Sequence, residues 1–329
     1  MTASELRTRK ERILFGLSVI VSAIVWIVLA VTVIGIAYSA LIGVAVLMAH
    51  ALLMAHVTGN GVRVTSAQLP EIWAKVVEAS KRLGLSGPPE VYVVQHGGVL
   101  NAFATKLLSR RFVIIYSELL DACEAAGPRE PGRPSELDFV IGHEIGHLAA
   151  GHLAWQWFLL PSRIFPLLGP AYSRAREYTC DLCGLAAVDD LEISSRALAI
   201  LAAGGHTSRR VNLDMFVEQA TDTGRFWMAV FELNASHPFL SKRVAALRVA
   251  KGHASAPAAS RNILAYPLAP ILGMGGGGPI ALVVIITYVA IFAAMPSLKN
   301  LAGQRKAAAE LQPTAEPAPA DDQGSPAAR

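Results

Sequence analysis

Hydrophobic and polar positions are divided very unevenly along this chain. No Asp, Glu, Lys or Arg occurs between Ile13 and His56. That stretch is about twice the ~20 residues one bilayer span requires. It predicts two membrane helices joined by a turn near Gly35–Gly43, around Tyr38 and Ser39. A cleavable signal would have an apolar core of only about 7–15 residues. A second uncharged stretch runs from Ile263 to Leu298 and is interrupted by Gly275–Gly278 and Pro279. Its part from Ile280 to Met295 predicts a further span. Ile263–Met274 is open between a second span, a re-entrant piece and a surface segment.

Between these stretches apolar positions recur at the spacings of a folded body. Leu69–Leu83 has the period of an amphipathic helix. Glu90–Gln95, Val99–Lys106 and Arg111–Ser117 read as strands, with a turn at Gly97-Gly98, and predict a small antiparallel sheet. Gly127 to Pro134 reads as a loop. Ser135 then has the character of an N-cap, with Asp138 three residues on as its capping-box partner. The helix it starts runs to about Gly151, and helices continue to about Gly252. The expected fold is α+β and mostly α: a helical domain with a small antiparallel sheet, anchored by transmembrane helices. The expected organisation is a cytoplasmic N-terminus (1–12), a transmembrane hairpin (13–56), the main domain (57–262), a C-terminal membrane region (263–298) and a disordered tail (299–329), rich in Ala and Pro.

Composition agrees with membrane segments. The chain is 53% hydrophobic and 16% charged, against about a quarter charged in a typical soluble domain. A net charge of +4 with no basic stripe argues against nucleic-acid binding. Three cysteines, Cys123, Cys180 and Cys183, do not make a disulfide framework. Arg7, Arg9, Lys10 and Arg12 precede the first apolar stretch; Arg63, Lys75, Lys81 and Arg82 follow it. Both flanks are therefore expected on the cytoplasmic side.

The candidate chemistry lies in His143-Glu144-Ile145-Gly146-His147. Positions i and i+4 share one helical face, so the two imidazoles can hold one zinc ion. Glu144 can reach a water activated there without being a ligand. These polar residues interrupt an otherwise apolar helix, where an unpartnered Glu is costly to bury. Ala150 and Leu153 stand where a metzincin has Gly and His, which excludes that class. Downstream, Glu177 and Asp181 share a helical face. Glu177 is the candidate third ligand, and Asp181 could fix the tautomer of a ligand histidine. The alternative for Glu177 is a solvated carboxylate paired with Arg174.

These pieces resemble the integral-membrane gluzincin zinc metallopeptidases of the HtpX-like and CAAX-prenyl-endopeptidase group. The resemblance rests on His143–His147, the Glu177–Asp181 helix, Asn101-Ala102-Phe103 before the zinc helix, and His237-Pro238 followed by Arg243. It covers about Leu69 to Arg248. Cys180 departs from the family pattern, which usually has Ala there. The resemblance implies one zinc per chain, held by His143, His147 and Glu177, with Glu144 as general base. It also implies that Asn101, Ala102 and Phe103 lie on an edge strand pairing with the substrate backbone, and that His237 approaches the metal and assists catalysis. The expected partners are a polypeptide substrate and the lipid bilayer. The expected location is a bacterial cytoplasmic membrane, with the active site facing the cytoplasm.

Two rivals stand beside this reading. A structural zinc would need a closed fourth ligand, and Cys180 is the local candidate. A zinc aminopeptidase would need a group that captures the substrate amine, and no such motif is visible. Finally, Leu153–Tyr172 is apolar and aromatic but cannot cross a bilayer once, because that would part Glu177 from His143. It is expected to form a hairpin on the cytoplasmic side, with its Trp and Phe residues at the membrane interface.

Overall fold

The structure is a computed structural model and describes residues 2–126, 133–253 and 260–272. Two long apolar helices come first, α1 (Arg9–Ala30) and α2 (Val33–Asn60). They break at Val31–Thr32, not at Gly35–Gly43. The Thr32 hydroxyl accepts from the Gly35 amide at 3.0 Å and so caps α2. A Cβ on Gly35 would lie 2.3 Å from the Leu29 carbonyl oxygen, so the tight turn requires glycine here. Tyr38, Ser39 and Gly43 all lie inside α2. No charged residue marks the break, which is why composition misplaces it.

Both helices are long and apolar enough to cross a bilayer, and their apolar side chains face outward, Ile27 and Leu52 among them. The last turns of α2 are different. Met54 and Val57 are buried against Tyr92, Val94, Phe112 and Ile114, and His50 Nε2 lies 2.9 Å from Thr105 Oγ1. This fixes the lower end of α2 to the sheet.

The sheet contains β1 (Val62–Val64), β2 (Glu90–Val94), β3 (Ala102–Leu107) and β4 (Arg110–Tyr116), with helix α3 (Pro70–Arg82) between the first two. Its order is β1-β2-β4-β3. β1 pairs antiparallel with β2, β3 pairs antiparallel with β4, and β2 pairs parallel with β4. The sheet is therefore mixed, where the sequence predicts an antiparallel one. The β3–β4 hairpin folds back so that β4, richest in buried Val and Ile, takes the centre and β3 the edge.

The rest is helical: α4 (Ser117–Ala125), α5 (Glu136–Ala149), α6 (Leu160–Arg163), α7 (Leu168–Val188), α8 (Leu191–Ala203), α9 (Gly205–Ser208), α10 (Leu213–Glu218), a 3-10 turn (Gln219–Gly224), α11 (Phe226–Asn234), α12 (Leu240–Ala250) and α13 (Ala265–Leu272). The start of α5 is fixed as its sequence predicts. The Asp138 carboxylate accepts from the Ser135 amide at 2.7 Å and pairs with Lys75 of α3. The main core joins α3 (Val76), the sheet (Val91, Val113, Ile115) and α5 (Ile141, Ile145).

α13 is a short helix whose Ala265 and Ala269 pack on Ala229, Val230 and Leu233 of α11. Its eight described residues rise about 12 Å. The span expected at Ile280–Met295 and the tail at 299–329 lie outside the described residues.

The segment Leu153–Tyr172 doubles back through turns and α6 and then enters α7. It runs beside α1. The Trp26 indole donates to the Phe158 carbonyl at 2.8 Å, the Ser162 amide donates to Ser22 Oγ at 3.2 Å, and Trp155 meets Phe15 edge-on at 5.9 Å. Trp155, Trp157, Ile164 and Phe165 remain exposed.

Candidate metal centre

α5 brings His143, Glu144 and His147 onto one face, and α7 brings Glu177, Cys180 and Asp181 to meet them. The two helices approach unusually closely. A Cβ on Gly142 would lie 2.5 Å from Ala187 Cβ, and one on Gly146 would lie 2.7 Å from Cys183 Cβ. Glycine at both positions is what lets α7 reach the histidines.

The Glu177 carboxylate spans both rings. His143 Nε2 is 3.4 Å from Glu177 Oε2, and His147 Nε2 is 3.5 Å from Glu177 Oε1. All three side chains are largely withdrawn from solvent. Burial alone would raise the Glu177 pKa, but hydrogen bonds with His143 and His147 and the nearby Arg243 charge hold it well below the carboxylate range. Burial would likewise lower that of His143, yet its bonds to Asp181 and Glu177 push it up to about 10. The neighbouring carboxylates thus stabilise the charged form of the His143 ring. Arg174 does not pair with Glu177. It donates instead to the carbonyls of Glu232, Leu233 and Ala235 at the end of α11.

The far nitrogen of each histidine is also engaged. His143 Nδ1 is 3.1 Å from Asp181 Oδ1. Arg243 of α12 grips the same carboxylate with two bonds, Nε to Oδ2 at 2.8 Å and Nη2 to Oδ1 at 2.5 Å. His147 Nδ1 is 3.1 Å from His152 Nδ1, and His152 Nε2 is 3.1 Å from Glu11 Oε1 on α1. Burial drives the His152 pKa down to about 4, against the pull of Glu11, so this ring is neutral near pH 7.

Glu144 is mostly buried and makes no hydrogen bond or ion pair among the described residues, leaving its carboxylate free to act on a water. His237 is exposed, yet its Nε2 comes within 3.7 Å of Glu177 Oε2, and the Ser236 hydroxyl lies 2.9 Å from its Nδ1. Ala102 and Phe103 lie on the edge strand β3, opposite Ile115 and Ile114 of β4. Asn101 falls just before the strand, and its carbonyl accepts from the Tyr116 amide at 3.0 Å. No hydrogen bond joins these three residues to the histidine cluster among the described residues.

Two groups stand near enough to be the third donor. His143, His147 and Cys180 offer ligand atoms within 4.8 Å of one another, while Glu177 faces both Nε2 atoms. Cys180 Sγ sits 3.6 Å from His152 Nδ1, the atom that also meets His147 Nδ1. Burial pushes its thiol pKa well above the usual value, which disfavours the thiolate a metal needs. Glu177, with one oxygen toward each Nε2 atom, is the better placed of the two candidates. Two imidazole nitrogens and one carboxylate, with a free glutamate beside them, fit an open zinc site.

Sequence reasoning misses Glu11, His152 and Thr179. His152 follows His147 by five residues, outside the i+4 spacing that draws attention. Glu11 stands between Lys10 and Arg12 in the basic flank and is not singled out.

The sequence profile of Peptidase family M48 matches residues 65–167 and 161–251, which include His143, His147, Glu177 and Arg243. The chain is also similar to a plastoglobule-localized metallopeptidase 48, chloroplastic, from Arabidopsis thaliana, at 28% identity over 179 residues. That match covers 49% of this chain and 49% of the relative, so the chain spans about half the length of the curated relative it matches. No solved structure matches. With its profile covering more than half of the residues and the whole cluster, the chain belongs to peptidase family M48.

Proposed function

We propose that this protein is a membrane-anchored zinc endopeptidase whose active site lies at the cytoplasmic face of the bilayer, akin to the HtpX-like and CAAX-prenyl-endopeptidase group. One observation carries the reading: two Nε2 atoms from one helix face meet both oxygens of Glu177 from another, beside the unbonded carboxylate of Glu144. His143, His147 and Glu177 would hold one zinc ion. When bound, the ion supplies Lewis acidity, which polarises the scissile carbonyl and acidifies water.

The remaining steps belong to the chain. Glu144 takes a proton from the attacking water and delivers it to the leaving amine. His237 stands at the solvent side of Glu177, where it can donate to the oxygen that gains charge at the carbonyl carbon. β3 is an edge strand, and an extended polypeptide adding to its outer side would pass Asn101, Ala102 and Phe103. Asp181 and Arg243 keep His143 oriented with Nε2 toward the ligand position.

Membrane anchoring rests on α1 and α2, which expose apolar side chains along most of their length. Basic residues flank the pair on both sides, which favours a cytoplasmic body. The exposed Trp and Phe residues of Leu153–Tyr172 lie beside α1 and suit the interface. The 13–56 and 57–262 divisions are proposed on the same basis, and the 263–298 division on its uncharged sequence. Zinc content of the purified chain tests the metal set: wild type should carry one zinc, and His143→Ala, His147→Ala and Glu177→Ala should each lose it. Full zinc in Glu177→Ala would overturn the assignment.

A further inference from the structure

Glu11 lies on the first turn of α1, yet it is fully buried inside the catalytic body. Three groups donate to its carboxylate. Arg7 Nε binds Oε1 at 2.8 Å, the Thr179 hydroxyl binds Oε2 at 2.5 Å, and His152 Nε2 lies 3.1 Å from Oε1. Thr179 sits on α7 between Glu177 and Asp181 and also accepts from the Thr8 amide at 3.3 Å, so the N-cap of α1 joins the same contact. His152 is fully buried as well, and its other nitrogen faces His147 Nδ1 at 3.1 Å.

The proton positions along this chain follow from donor and acceptor roles. If His147 gives Nε2 to a metal, its Nδ1 must carry hydrogen. Its hydrogen-bond partner among the described residues is His152 Nδ1, 3.1 Å away, which must then be bare. The single proton of neutral His152 therefore sits on Nε2, where Glu11 accepts it. The donors of His147 and His152 then each meet an acceptor, and the Cys180 sulfur, 3.6 Å from His152 Nδ1, lies at a longer, weaker distance from the same atom.

We infer that Glu11, acting through His152, is a positioning residue for His147, so that the first membrane helix supplies part of the metal centre. This rests on the zinc-site reading above. It assigns α1 a chemical role besides anchoring: a carboxylate from the start of the helix sets the ring orientation and tautomer of a ligand held on α5. Undocking α1 would release His147 while leaving His143 supported by Asp181.

The competing account is that Glu11, His152 and Thr179 only clamp α1 to the body. Zinc affinity separates the two, measured on the full chain in detergent by competition with a chelator and by the visible spectrum after cobalt substitution. Glu11→Gln and His152→Phe should each weaken zinc binding about 10–100-fold and alter the cobalt spectrum. The double variant should be no weaker than the worse single, because both changes cut one path. His152→Gln, which keeps an acceptor toward His147 and a donor toward Glu11, should retain most of the affinity. Ser22→Ala removes a different α1 contact and should change nothing. Wild-type affinity in Glu11→Gln, or losses that multiply in the double variant, would overturn the inference alone. A wild-type chain with no zinc affinity would instead overturn the metal-site reading with it. Should the buried variants fail to fold, nitrogen-15 spectra of the zinc-loaded wild type decide the matter. A His152 proton on Nε2 supports the relay, and one on Nδ1 overturns it.

Discussion

The two histidines proposed as ligands sit four residues apart on one helix, but they are supported in contrasting ways. His143 leans on Asp181, which Arg243 holds from α12; every member of that chain belongs to the body. His147 leans on His152 and then on Glu11, which arrives from the apolar helix α1. One half of the site is self-contained, and the other is completed by a segment whose composition speaks only of the membrane. The contrast shows how an anchor can be tied to chemistry. A soluble body cut free of α1 would keep one oriented ligand and lose the support of the other.

The largest expected effect comes from the self-contained side. Asp181→Ala leaves the Arg243 guanidinium buried and without its main partner. Breaking a buried pair from one side costs about 3–5 kcal/mol, and His143 loses its orientation as well. Chemical denaturation in detergent should show the stability loss, and chelator competition should show weaker zinc. If Asp181→Ala and Glu11→Gln cost the same stability, the contrast between the two supports would fail.

The glycines come next, because they bring both halves together. Gly146→Ala places a methyl where Cys183 Cβ already stands. Overpacking of this kind costs about 1–3 kcal/mol, and it should also push Glu177 away from His147 and reduce zinc affinity. An unchanged melting temperature with unchanged zinc would show that α5 and α7 are looser than described.

A comparable effect is expected from acid on the anchor side. His152 is held neutral down to about pH 4, whereas in the unfolded chain it binds a proton near pH 6.5. Between those values the unfolded state binds more protons, so stability falls as pH falls. The limit is about 3 kcal/mol for this one group. His152→Gln should flatten the part of the stability–pH curve between pH 6.5 and 4 that this residue causes. A curve parallel to wild type across that window would remove His152 from the account.

Cys180→Ala should have the smallest effect. Its thiol is buried and protonated, and Glu177 already faces both rings. Metal analysis should find zinc retained, and loss of zinc would favour a structural centre with Cys180 as ligand.

Much of this was legible in the sequence, for reasons that individual residues make clear. His143 and His147, and Glu177 and Asp181, are local pairs at i, i+4, so helical periodicity alone places each pair on one face. Leu69–Leu83 and the strand Glu90–Gln95 were legible in the same way and lie within a residue or so of α3 and β2. Non-local features were not legible. Strand pairing across β2 and β4 depends on how a hairpin folds back, so the mixed sheet is invisible in local alternation. Glu11 meets His152 across 141 residues, and nothing near Glu11 marks it as other than a flank charge. The turn at Val31–Thr32 is set by one hydroxyl and one glycine inside a uniformly apolar run.

The central claim is that Glu144 acts on water and not on the metal, and Glu144→Gln tests it most directly. Zinc content and cleavage of an unfolded protein such as casein should be measured on the same detergent preparation. The variant should keep its zinc and lose about 10²–10⁴-fold in endoproteolysis. Full cleavage by Glu144→Gln would contradict the account, as would loss of zinc together with activity.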